Sequence, residues 1–81
     1  MKKEFIIKLN MIEDLKNFVH EMTYNIKSDV FATYERQVIN AKSLLGMISI
    51  CVTPMVVEIF SDDEEEIKLF NEICERYVWE K

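Results

Sequence analysis

The stretch Asp29-Val30-Phe31-Ala32-Thr33-Tyr34-Glu35-Arg36-Gln37-Val38-Ile39-Asn40-Ala41 decides the fold. Residues 29–33 and 37–41 each read as a strand, and only Tyr34-Glu35-Arg36 separates them, which predicts a hairpin. No Asn-Gly pair marks the turn, so its type is left open. Toward the N-terminus, Ile12, Leu15, Phe18, Val19 and Met22 recur at helical spacing and predict an amphipathic helix to about Tyr24. Asn10 with Glu13 three residues on reads as its capping box, and Glu13 and Asp14 lie in its first turn, where the dipole favours anions. Before it, Phe5, Ile7 and Leu9 alternate with Glu4, Ile6 and Lys8, the period of a half-buried strand. Toward the C-terminus, Ser43 is a good N-cap for a short helix containing Gly46, which weakens the helical preference in its middle. Val52-Thr53-Pro54 breaks the pattern. The β-branched run Met55-Val56-Val57-Glu58-Ile59-Phe60 makes a fourth strand. Residues 61–66 then open a last helix with acids at its positive end, and Ile67, Phe70, Ile73, Cys74 and Tyr77 form its apolar stripe.

The order is β-α-β-β-α-β-α, with helices covering one face of a four-stranded antiparallel sheet, an α+β fold in a single domain over residues 1–81. The 81 residues allow one domain, and at this size it buries roughly 60–65% of the surface exposed by the unfolded chain. Hydrophobic residues are 49% and charged residues 31%, a globular balance. A net charge of −5 argues against binding a nucleic-acid backbone. No apolar run approaches the ~20 residues of a membrane span. No signal peptide is read at the N-terminus, and Cys51 and Cys74 are read as free thiols, so a cytoplasmic protein is expected. A single glycine argues against a Gly-rich phosphate loop.

The segment Ala41-Lys42-Ser43-Leu44-Leu45-Gly46-Met47-Ile48-Ser49-Ile50 resembles the regulatory-serine segment of the HPr family, phosphocarriers of the bacterial sugar phosphotransferase system. The order and length of the elements around it fit as well, so the resemblance covers nearly the whole chain. It implies an open-faced β-sandwich. It also implies that Ser43 stands where a dedicated kinase phosphorylates the family's serine, whose product binds a transcriptional repressor.

The family's main activity needs a histidine just before the first helix, followed by an arginine and a proline. The imidazole accepts phosphate from enzyme I, while the arginine and the helix N-terminus hold the phosphoryl oxygens. With Phe18-Val19 placed on the family's Phe-Val pair, the histidine position falls near Met11, the arginine position near Glu13 and the proline position near Asp14. A thioether accepts no phosphoryl group as a histidine does, and two carboxylates repel one. The single histidine, His20, lies mid-helix and reads as a surface residue rather than a displaced acceptor.

Ser43 carries two readings: a helix cap, worth about 1 kcal/mol, or a cap that is also a phosphorylation site. Lys42 supplies a nearby cation in either case. Leu44, Leu45, Met47 and Ile48 cannot all face inward from a short helix, so a subset forms an exposed partner surface while the rest dock on the sheet. The acidic run lacks the spaced ligands and turn glycine of a calcium loop, and the cysteines lack zinc or redox spacing, so no metal or cofactor is expected. Trp79 is read as a packing anchor for the last helix. No nucleophile–base pair stands out, so the chain is not expected to be an enzyme.

The expected function is that of an HPr-like protein without histidine phosphotransfer, regulating through protein–protein contact around Ser43. Expected partners are an HPr serine kinase, a transcriptional regulator or phosphotransferase-system components, not nucleic acid or membrane. The alternatives are a divergent phosphocarrier with another acceptor, or an unrelated two-layer α+β sensing or assembly domain.

Overall fold

The structure is a computed structural model that describes residues 1–50 and 53–79; Cys51 and Val52 of the sequence reading lie outside them. Strands β1 (Glu4–Ile7), β2 (Asp29–Tyr34), β3 (Gln37–Asn40) and β4 (Met55–Phe60) alternate with helices α1 (Ile12–Asn25), α2 (Leu44–Ile48) and α3 (Glu64–Glu75). The sheet order is β1-β4-β2-β3, antiparallel throughout. The fold is therefore the expected α+β one, an open antiparallel sheet with three helices, compatible with an open-faced sandwich.

Strand alternation sets the two sides of the sheet. Phe5, Ile7, Val30, Ala32, Met55, Val57 and Ile59 are buried in the core with Leu15, Phe18 and Met22 of α1 and Ile67, Phe70 and Ile73 of α3. The intervening residues of the strands are exposed or half-buried. Packing of α1 against α2 and α3 closes the helical layer. Glu21 of α1 and Arg76 after α3 tie the two long helices with a 2.6 Å ion pair at the surface.

The hairpin loop is two residues long, not three. Tyr34 pairs with Gln37, and Glu35 takes the left-handed φ of 54° that a two-residue connection asks of its first position. Helix α1 starts at Ile12 with Met11 as its N-cap, and the cap makes no side-chain hydrogen bond. The Asn10–Glu13 capping box does not form. The Lys8 N–H donates to the Tyr77 carbonyl and Leu9 is fully buried, which holds the chain along the sheet too far for the helix to begin at Asn10. Ile12, expected on the apolar stripe, is 49% exposed.

Helix α3 ends at Glu75, so Tyr77, expected on its apolar stripe, lies beyond the helix with Val78 and Trp79. Tyr77 packs its ring edge-on against Phe18 at 5.7 Å. Val78 bridges antiparallel to Ile7, and the Trp79 N–H donates to the Ile6 carbonyl at 3.0 Å. The segment thus lies along the outer edge of β1. Trp79 is half-buried there, and its backbone tethers the sheet edge, a role beyond the expected anchoring of α3.

Three of the acidic residues around the start of α3, Asp62, Asp63 and Glu66, have structural partners. Asp63 caps the helix by accepting from the Glu65 and Glu66 N–H groups. Asp62 pairs with Lys3. Glu66 reaches back to the loop before β2 and accepts from the N–H groups of Lys27 and Ser28. Hydrogen bonds from Ser28 and Lys27 hold its carboxyl below the usual carboxylate range.

Candidate functional site

Asn40, the last residue of β3, builds the turn into α2. Its carbonyl accepts from the Ser43 N–H at 2.9 Å, and its side-chain oxygen accepts from the Lys42 N–H at 2.9 Å. Ala41 between them is fully buried. This pattern of an Asn bonding the backbone two residues on is a standard turn device. Sequence reading placed Asn40 in the strand and missed that role.

Ser43 is the N-cap of α2, as expected. Its Oγ accepts from the Gly46 N–H at 3.2 Å, and its carbonyl accepts from the Met47 N–H at 2.9 Å. The serine and Lys42 are both half-buried. At the other end Ser49 Oγ donates to the Gly46 carbonyl at 2.6 Å.

The short helix divides its apolar residues between two sides. Leu45 is 85% exposed, and Leu44 and Ile48 are exposed as well. Met47 is 0% exposed and belongs to the core. Met47 is therefore removed from the candidate partner surface. It lies two residues from Leu45, so on a 100°-per-residue helix the two point to opposite sides. Met47 anchors α2 while Leu44, Leu45 and Ile48 face outward.

Gly46 is explained by close approach. A Cβ built on it would stand 2.7 Å from Ile39 Cγ2 and 3.2 Å from Ser43 Oγ. Ile39 is branched at Cβ and cannot swing that methyl away freely. Alanine would gain about 1 kcal/mol of helix propensity but would overpack the contact by about 1–3 kcal/mol. Gly46→Ala is expected to lower stability by about 1 kcal/mol in urea unfolding. In an Ile39→Ala background, where the methyl is gone, the same change should be neutral or stabilising.

Met11, Glu13 and Asp14, the positions on which the resemblance would set a transfer site, lie at the start of α1, which packs against α2. Met11 and Glu13 are exposed there and Asp14 is half-buried. His20 sits nine positions after Met11, about 13 Å along the helix axis. It is exposed and rests on Tyr24 one turn on, ring centroids 4.3 Å apart. The structure does not bring His20 to either helix start.

Cys74 is buried in the core, and burial followed by the charge of Glu75 pushes its thiol well above the ordinary cysteine range. A thiol in that state is not a nucleophile. Among the described residues no three His, Cys, Asp or Glu side chains are grouped to hold a metal ion. Among them, too, no helix is long and apolar enough to cross a membrane. Compared with known proteins, the chain matches no family model and no curated protein, so the site is read from its residues and geometry alone.

Proposed function

We propose that this protein is a divergent HPr-like module that regulates by protein–protein contact through α2 and does not carry phosphate on histidine. The observation that carries the reading is the division of α2, with Met47 locked in the core and Leu44, Leu45 and Ile48 presented beside a half-buried Ser43. An anchored helix offers its outer residues in a fixed geometry, so a partner meets a preorganised apolar contact. The antiparallel sheet order and the segment 42–50 support the family reading. Met11, Glu13 and Asp14 support the loss of transfer, because a phosphoryl acceptor and its cation are replaced by a thioether and two carboxylates.

Phosphorylation would transfer the γ-phosphoryl group of ATP to Ser43 Oγ, releasing the hydroxyl proton and ADP. It would place nearly two negative charges beside Lys42 and at the edge of the surface formed by Leu44, Leu45 and Ile48, changing which partners fit. The test is incubation with an HPr serine kinase and ATP. The expected product carries one phosphoryl group on Ser43 by intact mass and fragmentation, and Ser43→Ala, checked to be folded, carries none. Enzyme I with phosphoenolpyruvate is expected to give no acid-labile label. An unmodified Ser43 removes the kinase from the proposal, and phosphohistidine at His20 overturns the loss of transfer.

A further inference from the structure

We propose that the uncovered face of the sheet docks an amphipathic helix of a partner protein, one that carries Lys or Arg beside its apolar stripe. The helices cover only one side of the sheet. On the other, the strand registers line up Ile6, Val56, Thr33 and Val38 as one row across all four strands. Next to it Phe31 and Phe60 meet edge to face at 5.5 Å. Val38 is 66% exposed and Phe60 55%. Scattered apolar residues on a surface are ordinary, but a row in register beside an aromatic pair is a contiguous patch.

Within the four strands the charges on this face have one sign, while Lys8, next on the alternation of β1, and Lys3 lie at its margin. The ionisable side chains that the strands turn toward it are Glu4, Asp29 and Glu58, with no Lys or Arg among these strand positions. Glu4 and Glu58 are directly opposite one another on neighbouring strands. Like charges in that position destabilise a sheet, so the pair works against the free protein's own stability. The face continues into an open depression of about 590 Å³ at the end of β4, lined by Glu58, Phe60, Asp62 and Asp63. Its one cation, Lys3, already pairs with Asp62 at 3.2 Å. An incoming guanidinium or ammonium would relieve the Glu4–Glu58 repulsion and neutralise the depression.

Charge complementarity selects the occupant. A second copy would set these carboxylates against their own kind. A basic amphipathic helix matches both components. The four-strand row spans about 14 Å, three inter-strand spacings, which about ten helical residues cover. Such a helix would give the sheet the second covering layer that the described residues do not supply. This surface is separate from Leu44, Leu45 and Ile48, so the two readings stand or fall independently.

The probe is a synthetic amphipathic peptide of Leu and Lys, about 18 residues long so that it is helical, with a counterpart in which every Lys is Glu. Titrated into the ¹⁵N-labelled full chain, the Lys peptide is expected to give saturable shifts centred on Ile6, Phe31, Val38, Val56 and Phe60. The Glu peptide is expected to give none. Glu58→Gln should raise the melting temperature while weakening the Lys peptide at least tenfold, two changes of opposite sense that a merely structural glutamate would not show. Phe60→Ser should weaken it similarly. Shifts centred on α1 or α2, equal binding of the two peptides, no saturable binding, or concentration-dependent self-association through this face would each overturn the proposal.

Discussion

A chain ending at Arg76 is expected to lose about 3 kcal/mol or more of stability. The loss removes two backbone hydrogen bonds, from Lys8 N–H to the Tyr77 carbonyl and from Trp79 N–H to the Ile6 carbonyl. It also removes the half-buried Tyr77 ring from its contact with Phe18. For a domain of this size the melting temperature should fall by roughly 12–24 °C. A second readout separates this from simple core loss. β1 is an edge strand, and without residues 77–79 its outer N–H and C=O groups become a template for another strand. Sedimentation of the shortened chain should therefore show stronger concentration-dependent association than the full chain does. A shortened chain as stable as the full one, and monomeric, would deny the segment its structural role.

Phe70→Ala is expected to cost about 3–5 kcal/mol. The ring is fully buried on α3 and lies 5.7 Å from that of Phe5 on β1, tilted by 59°. Alanine there leaves a cavity between helix and sheet, and the surrounding aromatic and branched side chains cannot collapse to fill it. A domain of this length is stable by roughly 4–12 kcal/mol, so the loss removes a large share of its stability and leaves the variant partly unfolded at 25 °C only if the parent lies at the lower end of that range. Phe70→Leu, which keeps most of the volume, should cost only about 1–2 kcal/mol. Urea unfolding checks both. An alanine variant within 1 kcal/mol of the parent would mean that α3 is not docked as described.

Where a feature depends on neighbours in sequence, the residues announced it. Ser43 capping α2, Met55–Phe60 as a strand and the acidic opening of α3 are all local, and each is as expected. The start of α1 was misread because its competitor is distant. Asn10 has the right chemistry to cap, but the bond from Lys8 to Tyr77 joins residues 69 positions apart and no local pattern reveals it. The same limit hid the Glu4–Glu58 opposition. Alternation shows that both face the same kind of surroundings, but their register exists only once β1 is known to pair with β4. Around α2, the need for an inward and an outward subset was legible. That Met47 takes the inside follows from which side of the helix meets the sheet, a fact of packing.

The position of β1 also sets the timing of folding during synthesis. β1, made first of these four strands, is flanked on one side by β4, residues 55–60, and on the other by residues 77–79. The hairpin of β2 and β3 and the helix α1 can form as they emerge, since their bonds are local. β1 has no partner until the ribosome has released more than two thirds of these residues, and its outer edge is open until Trp79 is out. During that interval a four-residue strand with an apolar face, Phe5 and Ile7, is unprotected. Any chaperone that attends this chain would meet it at β1.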